Sequence, residues 1–332
     1  MKKLLLALPI AVALLAVGCG GASDRKDGAT AASGGGSGST ISLVAYSTPQ
    51  VVYDEIIPEF TATDAGKGVA IKTSYGASGE QSRAVEAGLP ADVVTFSTEP
   101  DVTRLVKAGL VAEDWKSAPH DGLVTTSLVA FIVRKGNPKG IKTWDDLLKP
   151  GVEVITPNPF TSGAAKWNLL GAYAHGGLPY VEKLIKEHVK VQPKSGREAL
   201  QTFTAGKGDV LLSYEYEATT AQKKGQAVDY VLPADTVKID IDIAKTKSAP
   251  AAAQALIDYV LSEPAQQRFA DWGYRPVNEA VLTKNKDKFP TPATVKTIDD
   301  LGGWKALNAD LFDPEKGTIA KIEEDAGVST AK

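Results

Sequence analysis

From Ile41 to about Ile243, short apolar runs alternate with stretches whose apolar residues recur at helical spacing. ISLVAY leads into a helix from Gln50, VAIKTSY into a helix from Glu80, and DVVTFS (Asp92 to Ser97) into a helix from Pro100 to Ala108. Strands that alternate with helices in this way predict mainly parallel sheets with helices on both faces. After SLVAFIVRKGNPKG the rhythm is broken at Gly136-Asn137-Pro138 and restarts at Ile141-Lys142-Thr143-Trp144. It then runs through a helix at Trp144 to Leu148, the strand VEVITP, a helix opening at Ser162, VKVQPK, a helix at Glu198 and DVLLSYEYEA. The break near Lys135 reads as a crossing into a second lobe, with a return near Leu232 to Ile243. The C-terminal third is mainly helical, clearest at Ala251 to Leu261 and Pro264 to Trp272. The expected organisation is an α/β chain of two lobes. Residues 41–134 with about 235–285 form the first lobe, 135–234 the second, and 286–332 a tail packing on both. No period of 20 to 50 residues repeats, which excludes a solenoid.

The stretch VITPNPFTSGAAKWNLL, Val154 to Leu170, places a Pro-Asn-Pro turn and Thr161-Ser162-Gly163-Ala164 between a strand and a helix. Ser162 is placed to cap that helix, and the small Gly163 and Ala164 leave its first N–H groups uncovered. Such an end carries partial positive charge and free donors, which suits an anion. The arrangement recurs after other strands, at Ser47-Thr48-Pro49, at Gly76-Ala77-Ser78-Gly79 and at Ser195-Gly196-Arg197. Ligands of open α/β sheets bind beyond the carboxyl ends of the strands, where helix N-termini converge. The pattern therefore predicts an anion held between the lobes by uncharged donors.

Composition adds a destination. The 332 residues are 43% hydrophobic, enough for a large core. Residues 1–18 read as a signal peptide, with Lys2 and Lys3 before the apolar run Leu4 to Val17 and the small Gly18 after it. Cys19 is the only cysteine, so no disulfide framework or thiolate cluster can form. Leu15-Ala16-Val17-Gly18-Cys19 resembles a bacterial lipobox, which implies a diacylglyceryl group on Cys19 as the first mature residue. Residues 19–40, with SGGGSGS at Ser33 to Ser39, form a flexible tether spanning on the order of 25 Å. Without Lys2 and Lys3 the chain has 35 cations against 40 anions, about −5, and it carries no basic stripe, so nucleic acid is not an expected partner. His120, His175 and His188 sit at no metal-ligand spacing. No nucleotide-binding glycine motif occurs, and Glu80 stands where a nucleophile elbow needs its last glycine. The expectation is a binding protein without a cofactor or metal, not an enzyme.

IKTSYGASGEQ, PADVVTFS, FIVRKGNPKGIKTWDDLLKPGVEVITPNPFTSGAAKWN, SGRE, GDVLLSYEYEA, GYRPVNEA and TIDDLGGW resemble the sulfate and thiosulfate binding proteins of ABC importers, over about Ile41 to Trp304. With the lipobox, the chain is most similar to actinobacterial sulfate-binding lipoproteins. The resemblance implies a two-lobed, type II periplasmic-binding-protein-like fold with the ligand in the interlobe cleft. It implies a monomer, anchored outside the cytoplasm, that captures sulfate and delivers it to an importer's permease and ATPase. The serine hydroxyl of the family's GGSG-like motif falls on Ser78, its Ser-Gly-Gly helix start on Ser162, Gly163 and Ala164, and a backbone N–H on Arg197. Ser47 stands in place of an aspartate that gives its N–H, and Tyr214 in place of a tryptophan whose indole faces sulfate. Thiosulfate or molybdate on the same scaffold is the alternative within binding proteins; an extracytoplasmic sulfate or phosphate ester hydrolase is the alternative outside them.

Overall fold

The structure is a computed structural model that describes residues 39–331. The expected signal peptide, Cys19 and nearly all of the expected tether lie outside those residues. Eleven strands are described: β1 (Thr40–Tyr46), β2 (Ala70–Gly76), β3 (Val93–Phe96), β4 (Leu123–Arg134), β5 (Val154–Ile155), β6 (Val189–Val191), β7 (Val210–Tyr214), β8 (Val228–Val231), β9 (Asp235–Lys245), β10 (Arg275–Pro276) and β11 (Thr294–Lys296). The helices are α1 (Gln50–Thr61), α2 (Ser78–Glu86), α3 (Glu99–Lys107), α4 (Gly163–Lys183), α5 (Gly196–Thr204), α6 (Glu215–Lys223), α7 (Ala251–Leu261), α8 (Glu263–Asp271), α9 (Glu279–Lys284), α10 (Gly303–Asp310) and α11 (Thr318–Asp325).

The strands run in the order β2-β1-β3-β9-β4-β7-β5-β6. β1 is parallel to β2 and β3, and β5 is parallel to β6 and β7, whereas β9 and β4 run antiparallel to their neighbours. The central strands β3 and β7 are buried throughout, as helices on both faces require. β4 joins the two halves of the order because it changes partners along its length. Leu123 to Leu128 pair with β9, and Val129 to Val133 pair with β7. Its apolar run LVAFIVR has no polar alternation that would mark where one partner gives way to the other.

Local differences from the sequence reading have local causes. Trp144–Leu148 is a 3-10 turn because Asp146 accepts the N–H groups of Lys142 and Thr143, which closes a tight capping box over five residues. α2 begins two residues earlier than expected, at Ser78, and α3 one residue earlier, at Glu99. Trp144 itself is fully buried, stands edge-on to Phe131 at 4.8 Å, and donates its indole N–H to Asp235 O at 2.9 Å.

One ion pair fastens the C-terminal part of the chain to the start of α6. Arg275 on β10, a strand paired with Thr125 and Thr126 of β4, donates to both carboxylate oxygens of buried Glu215 at 2.7 and 3.1 Å. Burial pushes the Glu215 carboxyl up, and Arg275 pulls it back. Arg275→Met therefore leaves a buried carboxyl without its partner, at a cost of about 3–5 kcal/mol. Urea unfolding at neutral pH checks this, and an unchanged midpoint and slope would show that the pair adds no stability.

Candidate anion-binding site

Six helix starts meet at one small cavity of about 10 Å³, far below the roughly 300–1,000 Å³ of pockets that take drug-sized ligands. The residues that line it are Tyr46, Ser47 and Thr48 before α1, Ala77 and Ser78 at α2, Ser97 before α3, Ser162 and Ala164 at α4, Gly196 at α5, and Tyr214 before α6. None of them carries a charge. Hydroxyl-bearing or small residues stand at each of these strand-to-helix turns, where a helix presents its first N–H groups.

At α4, Ser162 occupies the N-cap position in extended geometry, but its hydroxyl does not cap the helix as the sequence suggested. The Pro-Asn-Pro turn holds the chain instead: Asn158 O accepts the Ser162 N–H at 2.9 Å, and Asn158 Oδ1 accepts that of Phe160 at 2.7 Å. The Ser162 hydroxyl is thereby released toward the cavity, and among the described residues no acceptor takes the Gly163 or Ala164 N–H. Gly163 does not line the cavity. A Cβ on it would stand 2.1 Å from Ser97 Oγ, so only glycine lets this helix start come against the end of β3. By contrast, Ser195 does cap α5, accepting the Glu198 N–H at 3.2 Å.

Ser78 is 2% exposed and lines the cavity, but its proton is already committed. Its hydroxyl accepts the Ser97 N–H at 3.1 Å and donates to Asp101 Oδ2 at 2.7 Å. The same Asp101 oxygen accepts the Thr98 hydroxyl at 2.9 Å. A buried carboxylate thus stands directly behind the cavity wall. As arranged, Ser78 offers the cavity its backbone N–H, at the first position of α2, more readily than its hydroxyl.

Arg197 does not line the cavity; its neighbour Gly196 does. The Arg197 N–H points at Ser47 Oγ, 3.4 Å away, and its guanidinium donates to Ser47 O and, at 2.6 Å, to Gln50 Oε1. Arg197 is a clamp between α5 and the start of α1. Two further bonds join the sequence-distant walls: Gly79 N–H to Thr161 O at 3.1 Å and Trp167 Nε1–H to Ser97 O at 2.5 Å.

Tyr214 is the last residue of β7 and wholly buried, and its hydroxyl has no hydrogen-bond partner among the described residues. Burial holds its pKa well above the ordinary value, Tyr46 adds to that, and the nearby Ser97 side chain opposes it. Its ring stacks on Tyr216 at 4.9 Å, and Tyr216 stacks on Tyr274 at 3.6 Å. Tyr216 OH hydrogen-bonds Thr48 Oγ1 at 2.8 Å and donates to Tyr46 OH at 3.2 Å, tying the two sides of the cavity. Behind this stack lies buried Glu217, with Oε2 unpartnered. Burial raises its pKa to about 7 against the pull of Arg197 and then Lys224.

Of the residues singled out from the sequence, Ser47, Ser78, Ser162, Ala164 and Tyr214 come together on the cavity wall, and Gly163 and Arg197 stand just behind it. Thr48, Ser97 and Tyr46 also line the cavity, although the resemblance had assigned them no part in binding. Ser97 carried a usable signal, since DVVTFS ends on a serine before a helix as ISLVAYS does. None of the three histidines lines the cavity; His175 Nδ1 is 2.7 Å from Asp235 Oδ2 and His188 Nδ1 is 3.1 Å from Val152 O. Among the described residues no group of histidine, cysteine or carboxylate side chains is placed to hold a metal ion.

Residues 41–275 match the family model of the bacterial extracellular solute-binding proteins. The chain belongs to that family. It is 37% identical to a sulfate-binding protein of Synechococcus elongatus, over 96% of this chain and 95% of that one. It is 35% identical to a thiosulfate-binding protein of Pseudomonas aeruginosa, over 81% of this chain and 88% of the other. The solved structure of the sulfate-binding protein SubI from Mycobacterium tuberculosis superposes with a TM-score of 0.80 at 47% identity, covering 82% of this chain and 98% of SubI. The fold is the mixed α/β, type II periplasmic-binding-protein-like fold.

Glu217 gives the site region a pH dependence of stability. Its pKa is raised from 4.5 to about 7 in the folded chain, so the folded state holds the proton more firmly than the unfolded state does. Stability from this group is present below the unfolded pKa and is lost as pH rises toward and through about 7. Glu217→Gln, which cannot ionise, should remove about 2–3 kcal/mol of the loss between pH 5 and pH 8. Denaturant melts at the two pH values test it; equal pH dependence in mutant and wild type would mean that Glu217 stays ionised in the fold.

Proposed function

We propose that this chain captures sulfate in the cavity described above and delivers it to an ABC importer. The observation that carries the proposal is a small, buried cavity lined by hydroxyls and helix starts and by no charged side chain. Sulfate at neutral pH has no proton and only accepts hydrogen bonds, so a wall of N–H and O–H donors suits it. Phosphate usually keeps a proton, which needs an acceptor, and a proton left unpaired in a buried site costs about 1–3 kcal/mol. The negative charge is met by the partial positive charge of converging helix starts. The sulfate-binding relatives support this ligand, and the thiosulfate-binding relative keeps thiosulfate as the second reading. The hydrolase reading loses ground, because no histidine or carboxylate lines the cavity to act as a base. Ser47, Ser78, Ser162, Ala164 and Tyr214 are the binding residues of this reading, with Ser97 and Thr48 added, and Gly163 and Arg197 support the wall from behind. β4 and β9 act as the hinge between lobes built mainly from residues 41–134 with 235–285 and from 135–234.

Calorimetric titration of the full chain with sulfate, thiosulfate, molybdate and phosphate tests the ligand, and failure of sulfate to bind would sink the reading. Tyr214 sharpens the test, because its buried hydroxyl has only the Ser97 side chain close by. Tyr214→Phe should weaken sulfate binding by about 1.5–3 kcal/mol, the worth of a hydrogen bond to a charged group. Tyr214→Trp should retain much of the affinity. A Phe variant as tight as wild type would remove Tyr214 from the ligand shell.

The same reading has the chain work as a monomer at the outer face of the cell membrane, held by a lipid on Cys19 through the Gly/Ser tether. Cys19→Ser should give a protein that binds sulfate normally and partitions into the aqueous phase in detergent extraction. A variant that stays with the membrane fraction would rule out lipid anchoring at Cys19.

A further inference from the structure

Beside the cavity lies a larger groove of about 560 Å³ that shares Ser162 with it and runs between α2, α3, the start of α4 and α10. The chain as a whole is acidic, yet this groove gathers five cations, Arg83, Arg104, Lys107, Lys166 and Lys305, against four carboxylates. The carboxylates are in large part spoken for. Glu99 is held at 2.6 Å by Lys116, which comes from outside the groove, and Asp101 is buried under the Ser78 and Thr98 hydroxyls. Glu86 meets Arg104 only at 3.5 Å.

Arg83 lies in the last turn of α2, on the wall of the groove. Its Nη1 lies 3.3 Å from where a Cβ on Gly79 would stand, and its guanidinium reaches Phe160 O only at 3.5 Å. Burial lowers its pKa and the neighbouring positive charge of Arg104 lowers it further, while the carboxylates of Asp101, Glu80 and Glu86 oppose the shift. With Glu99 matched by Lys116 from outside, the five cations of the groove outnumber its remaining carboxylates and leave a net positive charge at the rim. A low-dielectric groove focuses such a potential and raises the encounter rate of an anion.

We infer that this groove is a transient capture site for a divalent oxyanion, from which the ligand passes by Ser162 into the neutral cavity. The inference rests on the anion reading of the cavity and divides the work between the two places. Cations at the rim set how fast the anion arrives, and uncharged donors inside set how long it stays. Cations kept out of the cavity itself leave its selection among oxyanions to hydrogen-bond geometry.

The test is stopped-flow tryptophan fluorescence of the full chain mixed with sulfate, from about 10 to 150 mM sodium chloride, over which the screening length falls from about 30 to 8 Å. Arg83→Gln combined with Arg104→Gln should lower the association rate constant about tenfold at low salt, within the range of electrostatic steering. The two proteins should converge at high salt, with dissociation rates within about twofold of each other. An association rate and salt slope equal to wild type, with sulfate still bound, would overturn the capture site and leave the cavity reading intact. Where the double variant melts early, the exposed substitution Lys107→Glu must by itself reduce the low-salt rate, and an unchanged rate there overturns the inference equally. Failure of wild type to bind sulfate in an equilibrium titration overturns both readings.

Discussion

Backbone donors at helix N-termini have no partner in their own helix, and burying them unpaired costs free energy. Here six such ends are directed at one small cavity, and the rest of the structure can be understood as what makes that tolerable. Parallel strands bring helix starts to their carboxyl ends by topology. Small residues, Gly163, Ala164 and Gly196, let the ends approach; a Cβ on Gly196 would already meet Thr48 Cγ2 at 3.3 Å. Ser47, Ser97 and Ser162 add hydroxyls in the same place.

Charge is kept close to the cavity and out of it. Asp101 holds the Ser78 hydroxyl, Arg197 clamps Ser47, and Glu217 sits behind the tyrosine stack, but none of the three lines the cavity. A fixed cation inside would bind many anions strongly, whereas neutral donors discriminate by whether a ligand carries a proton. The clamp and the stack also show how two distant parts of the chain are held together: Arg197 to Ser47 and Gln50, and Tyr216 to Thr48 and Tyr46, each span about 150 or more residues of sequence. Such contacts are long-range, and their loop-closure cost is met once the strands that carry them are paired.

The alternation of apolar runs with helical stretches by itself determined the α/β class, the parallel pairing of β1 with β2 and β3 and of β5 with β6 and β7, and the helix starts that would carry donors, but not the antiparallel pairing of β4 and β9, because strand and helix periodicities are local properties. It also placed Ser47, Ser78, Ser162, Ala164 and Tyr214 correctly at strand-to-helix turns. Only the tertiary structure decided what those turns do. The direction of the Ser78 proton depends on Asp101, 23 residues away, and the direction of the Arg197 N–H depends on Ser47, 150 residues away. The Ser162 hydroxyl is free because Asn158 holds the turn, and β4 changes partners within an apolar run that gives no local sign of it. Hydrogen bonds between residues distant in sequence leave no periodic trace, so which donor faces the cavity and which faces the protein could be settled only once the chain was folded.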